Sequence, residues 1–206
     1  MARSARLTHL LAVITALAWL TAFLTGTQPW AAEQGGVIPA RIFGSGGFIV
    51  PAWLTPLTCT MVHGGFVHLA FNLVMLVFCG RQIEPVLGRW PFLVLYVVGA
   101  YAAAGAQTLV NPGSVVPMIG ASGAISAVLA VYALLFSRNE VKRIGPVPAH
   151  WVRALWLAAG WIAIQWMMGL ALSSEDTAIA TAAHVGGFLA GLALARPLLL
   201  WRYRGA

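Results

Sequence analysis

Six runs of apolar residues, at 7–25, 60–79, 91–110, 117–136, 151–172 and 177–196, leave this chain little choice of solvent. A helix needs about 20 apolar residues to cross the hydrocarbon of a bilayer, and lipid offers no water to an unpaired backbone N–H or C=O. Helices satisfy those groups internally, so such runs are read as spans. Six of them in 206 residues leave no length for a sizeable soluble core. Charged residues make up 8% of the chain, against about 25% in soluble domains. The expectation is an all-α integral membrane protein of six transmembrane helices, with residues 1–206 forming a single membrane domain.

Residues 26–58 have another texture. Gly35, Gly36, Pro39, Gly44, Gly46, Gly47, Pro51 and Pro56 exclude one continuous helix, while Trp30, Phe43, Phe48 and Trp53 suit the bilayer surface rather than open water. A long interfacial loop between the first and second helices is expected. The first run, behind Arg3 and Arg6, also has the outline of a signal peptide. It is long for one, however, and Trp30-Ala31-Ala32 makes a poor cleavage site. Cys59 and Cys79, taken at the two ends of the second helix, would stand about 30 Å apart at helical rise, beyond the reach of a disulfide.

The formal net charge is +7, and where the charges fall matters more than their sum. Arg and Lys sit singly or in pairs between the apolar runs, as membrane topology requires, and no nucleic-acid motif accompanies them. With six crossings, every Arg and Lys except Arg41 falls on one side or at its boundary. By the positive-inside rule both termini are cytoplasmic.

That topology makes the second, fourth and sixth helices enter from the outer face. Counted from their outer ends, Ser122, His184 and His68 lie about 7, 10 and 12 Å deep, with Asn72 one turn below His68. Polar side chains are costly at such depth and face protein or water-filled space, so a shared layer of them is a candidate site. Serine becomes a nucleophile when a histidine within hydrogen-bond reach takes its proton. A second histidine and an asparagine are suitable donors to an oxyanion forming on a carbonyl. Glu33, Glu84, Glu140, Glu175 and Asp176 all fall in loops or at helix ends, so the chemistry would rest on a Ser–His dyad. Each residue also has a plainer use. Gly120-x-x-Gly123 alone fits a close-packing face, and Gly187-x-x-x-Gly191 would bring the sixth helix onto the fourth. His63, above His68, suits an interhelical hydrogen bond, and Trp161, Trp166, Met167 and Met168 suit packing and lipid contact.

Three motifs together resemble the rhomboid intramembrane serine proteases. They are His-x4-His-x3-Asn at His63, His68 and Asn72, Gly-x-Ser-Gly ending at Ser122 and Gly123, and Ala-His-x-x-Gly at Ala183, His184 and Gly187. The likeness runs from the aromatic first loop to the sixth helix and is to the six-helix bacterial form. It implies that Ser122 attacks the scissile carbonyl, and that His184 takes its proton and returns it to the leaving amine. The oxyanion would be held by Asn72, His68 and the backbone N–H of Ser122, with the Ala121 N–H as a further donor. Gly120 would lie in a loop entering a helix that starts below the surface, and His63, Gly120, Gly123, Gly187 and Glu84 would be structural. The fifth helix with the acidic turn, from Trp166 to Asp176, would act as a mobile gate. Substrates would be single-pass transmembrane proteins cut near the outer face, in a bacterial cytoplasmic (inner) membrane. No cofactor or metal is implied, and the oligomeric state is left open.

Two departures carry consequences. Many rhomboids have Trp-Arg in the first loop where this chain has Trp53-Leu54, so the loop is expected to be anchored differently. Some members place an aromatic one turn after the serine, against the catalytic histidine. Here that residue is Ser126, and His184 needs another support. The competing readings are an inactive rhomboid-like protein that binds membrane clients, and a small transporter with His63, His68 and His184 along its path. The presence of both Ser122 and His184 argues against the first. The absence of intramembrane carboxylates and of an inverted repeat lowers the second.

Overall fold

The computed structural model describes residues 5–42, 44, 48–136, 141–172 and 180–205, and apart from two isolated β-bridges its regular elements are helices. Helix α1 (Arg6–Leu24) is followed by the short helices α2 (Gln28–Gly35), α3 (Pro39–Ile42) and α4 (Thr55–Thr58). Then come α5 (Phe66–Leu87), α6 (Arg89–Val110), α7 (Ser122–Phe136), α8 (Ala149–Leu172) and α9 (Thr181–Arg202). By length and composition α1, α5, α6 and α9 can each cross a membrane, while α7 is apolar but only 15 residues long. Their outward faces are apolar where a soluble protein is polar: Leu17, Phe71, Val74, Phe78 and Leu200 are all exposed. The acidic turn at 173–176 and the expected helix start at Thr177 lie outside the described residues. So do Arg3, Phe43, Gly46, Gly47, Arg138 and Glu140, and the side chains of Trp166 and Met168.

The helix ends differ from those expected, and each difference has a local cause. The second span starts at Phe66 rather than Thr60, because the pair Gly64-Gly65, poor helix formers both, interrupts the run. It then continues past Cys79 to Leu87. Gly80 is a packing glycine and not a stop: a Cβ there would meet Thr8 of α1 at 2.6 Å. The third span begins at Arg89, since Pro91 in a first turn gives up an N–H that had no partner in any case. The sixth runs through Pro197 to Arg202. Residues 26–58 are not one loop but a string of α2, α3, a 3-10 turn at Ala52–Leu54 and α4, followed by a second such turn at Cys59–Met61. Cys59 and Cys79 are therefore on different elements, and both are buried and free. Burial pushes the Cys59 thiol up to about 12, which keeps it from reacting as a thiolate.

Two polar anchors tie the periphery down. The first N–H groups of a helix have no partner inside it. In α1 those of Leu7 and Thr8 go to the Glu84 carboxylate of α5, at 2.9 and 2.7 Å, and the Thr8 hydroxyl donates to the same group at 2.7 Å. Arg41 is buried and donates to the carbonyls of Gln34 (3.1 Å) and Val50, with its guanidinium 3.7 Å from the centre of the Phe48 ring. This binds the two halves of the 26–58 stretch together without a Trp-Arg pair.

At the centre α9 packs on α6 and α7, around Phe92, Leu95, Val128, Val131 and Leu198. Small residues let the backbones meet. A Cβ on Gly187 would overlap the Gly123 carbonyl oxygen, and one on Gly191 would overlap that of Ala127. Without a hydrophobic drive between helices in lipid, such close van der Waals contact is what association rests on.

Candidate active site

The chain reaches Ser122 through an irregular stretch, 111–121, rather than along the helix expected from Pro117. Irregular backbone beside a bilayer persists only where protein satisfies it. Here the 26–65 region does so. Val37 and Met118 exchange both backbone hydrogen bonds, at 3.0 and 2.8 Å, and the Gly120 N–H donates to the Cys59 carbonyl at 2.9 Å. Gly120 then turns with φ +109°, a conformation L side chains rarely adopt, and a Cβ there would lie 2.7 Å from His68 Nε2. The same point is 3.8 Å from Ser122 Oγ, so the glycine is what lets the imidazole of His68 sit beside the serine.

Ser122 is the first residue of α7. Its hydroxyl oxygen lies 2.7 Å from His184 Nε2, across 62 positions of sequence. The contact exists because α9 lies against α7 at Gly123, next to the serine, and Gly187, about one turn past the histidine. Counting from helix ends does not explain the meeting: Ser122 starts its helix, and His184 is three residues past Thr181. Ser126, one turn after the serine, donates its hydroxyl to the Ser122 carbonyl at 2.8 Å and leaves His184 alone.

The support of His184 comes from α8. Gln165 Oε1 lies 2.7 Å from His184 Nδ1, and Trp161 Nε1–H donates to the His184 backbone carbonyl at 3.2 Å. Trp161 also stacks on Phe188, centroids 5.2 Å apart, which fixes its indole one turn along α9. Gln165 is 2% exposed. No expectation from the sequence named it. The available signal was a lone amide in the middle of the 151–172 run, where a polar group is costly unless it has a partner.

The expected oxyanion donors are only partly assembled. His68 adjoins Gly120 and Ser122, as described. Asn72 Nδ2 donates to the His68 carbonyl at 2.9 Å within α5, leaving its second N–H uncommitted. The Ala121 N–H points instead at His63 Nε2, 3.5 Å away, so that donor is engaged. His63 is buried with its ring edge-on to His68, centroids 5.0 Å apart. The Ser122 N–H stands at a helix N-terminus, where backbone donors are unpaired by intrahelical bonds and the dipole favours negative charge.

Comparison with known proteins gives the chain a set of relatives. Residues 51–201 match the family model described as the Rhomboid domain, opening at Pro51 and so leaving out α1 and the aromatic residues before Pro51. The chain is similar to the rhomboid protease GluP of Bacillus subtilis, 28% identical over 145 residues that take in 70% of this chain and 27% of that protein. It is similar also to the rhomboid-type serine protease 2 of Emericella nidulans, 30% identical over 158 residues, covering 71% of this chain and 25% of the relative. The putative rhomboid protease YdcA of Bacillus subtilis is 33% identical over 96 residues, 43% of this chain and 45% of that one. The chain thus spans less than half the length of each of these relatives. Since the family match covers most of the chain and encloses His63, His68, Asn72, Ser122 and His184, this helical membrane protein belongs to the rhomboid family.

Proposed function

We propose that the chain is an intramembrane serine endopeptidase with Ser122 as nucleophile and His184 as general base. One observation carries the reading: a serine hydroxyl 2.7 Å from an imidazole nitrogen, held there by helix packing rather than by sequence neighbours. His184 Nε2 takes the proton from Ser122 Oγ as Oγ attacks the scissile carbonyl carbon, and the carbonyl oxygen gains the charge. The α7 N-terminus with the Ser122 N–H, the His68 ring and the free N–H of Asn72 stabilise that oxyanion. Ala121 N–H joins them only by leaving His63. Collapse expels the amine with the proton from His184, and water attacking through the same base releases the acyl group from Ser122.

The same proposal covers the setting. The spans α1, α5, α6 and α9, with α7 and α8 between them, make six crossings of one membrane domain over 1–206, both termini cytoplasmic. This puts Ser122 toward the outer face, and the substrates are single-pass transmembrane proteins cut near it. The membrane is a bacterial cytoplasmic (inner) membrane. Supporting this side assignment, Arg81, Arg89, Arg196 and Arg202 cluster at one end of α5, α6 and α9.

The test uses the protein in liposomes with a model transmembrane substrate and a fluorophosphonate probe. Wild type is expected to cleave and to be labelled, whereas Ser122→Ala and His184→Ala do neither while keeping the wild-type melting temperature. Cleavage that survives Ser122→Ala sinks the reading.

A further inference from the structure

We propose that Gln165 is a positioning residue for the base, so that the site works as an oriented Ser–His–Gln array, with the proton staying on the imidazole, and not as a bare dyad. The inference rests on the peptidase reading above. It starts from a chemical requirement. A neutral imidazole carries its proton on one nitrogen, and only the other can accept from serine; which nitrogen that is depends on the hydrogen bond the ring makes on its far side. Gln165 presents Oε1, an acceptor with no proton to give, 2.7 Å from Nδ1. The ring therefore holds its proton on Nδ1 and turns the lone pair of Nε2 toward Ser122 Oγ, 2.7 Å away.

Burial sharpens the effect. Gln165 is 2% exposed, so water does not compete for its carbonyl oxygen, and a displaced imidazole would leave that oxygen unpaired in an apolar surround. Trp161, one turn earlier on α8, holds the His184 carbonyl at 3.2 Å and so fixes the backbone that carries the ring. Ring and backbone of the base are both oriented from α8, the helix that contributes no other group to the reaction. When Nε2 takes the serine proton the imidazolium needs a partner for its Nδ1–H, and the amide dipole of Gln165 already faces it without reorganising. A carboxylate in this place would supply more, but a neutral amide enters lipid at far lower cost.

Packing and positioning make opposite predictions, which gives the test. In a purely packing role, Gln165→Leu should be harmless and Gln165→Glu harmful. In the positioning role, Gln165→Leu and Gln165→Met lower kcat for the transmembrane substrate by about 10- to 100-fold with KM unchanged, and slow fluorophosphonate labelling in parallel. Gln165→Glu, which keeps an acceptor on Nδ1, recovers most of the rate. Wild-type rates in the Leu and Met variants, or a Glu variant no better than they are, overturn the proposal. A second measurement does not depend on turnover. Ring 15N shifts of His184 are expected to report the Nδ1–H tautomer in wild type and its loss in Gln165→Leu, and a dominant Nε2–H tautomer in wild type overturns the assignment. Failure of the peptidase reading is separate and visible on its own: wild type then shows no Ser122-dependent labelling at all.

Discussion

Gly120 shows how much of this site depends on single atoms. Its φ of +109° and the 2.7 Å approach of His68 Nε2 leave no place for a methyl group. Gly120→Ala is expected to fold with the His68 ring displaced and to lose most of its cleavage rate, which a substrate assay normalised to folded protein will show. Asn72→Ala removes the uncommitted N–H proposed for the oxyanion and is expected to lower kcat roughly 10- to 1,000-fold. An unchanged kcat would remove Asn72 from the mechanism. At this scale the Ser122–His184 contact was legible in the sequence, because a serine and a histidine inside apolar runs must meet something. Gln165 was not. Whether an amide at that position faces lipid or His184 depends on the rotation of α8 about its axis, which no local pattern of residues in 151–172 encodes. Arg41 was legible only as a charge on the unexpected side. Its carbonyl partners, Gln34 and Val50, lie seven and nine residues away and become neighbours only once the 26–58 stretch has folded back on itself.

Helices were legible as runs and misjudged at their ends. Gly80 and Pro197 look like stops, yet one is a seat for Thr8 and the other costs a single backbone bond in a helix held by its neighbours. The irregular stretch at 117–121 was hidden for the opposite reason. Its residues are apolar enough for a helix, and what keeps them out of one is pairing with Val37 and Cys59 from the first interhelical region. The α7–α9 contact gives an element-scale prediction. Gly187→Ala pushes a methyl group into the Gly123 carbonyl, a backbone atom that cannot step aside, so α9 must shift and carry His184 with it. A displacement of about 1 Å is expected to cost on the order of 100-fold in rate. Gly105→Ala, where nothing lies within 4 Å of the added methyl, serves as the control and is expected to leave the rate unchanged. The α1–α5 contact behaves differently. Glu84→Ala strips three donors of α1 of their acceptor and is expected to destabilise the fold by about 1–3 kcal/mol. Thermal unfolding in detergent reads that loss, while cleavage per folded molecule stays at the wild-type level.

For the molecule as a whole, composition and run length sufficed to predict a helical membrane protein, and the three short motifs sufficed to point to the family. Neither carried the arrangement in which one helix holds Ser122, a second His184 and a third Gln165 beside that imidazole. That arrangement also imposes an order in time. Ser122 is made 62 positions before His184, and the ribosome must add all of the intervening α8 before His184 exists. On the proposed mechanism, a nascent chain that has emerged only as far as α8 holds Ser122 without its proton acceptor. The same mechanism makes competence depend on the contact of the α9 glycines with α7. Chains arrested before residue 181 are expected to insert without reacting with a serine probe, and supplying α9 as a separate peptide is expected to restore labelling only if it docks through Gly187.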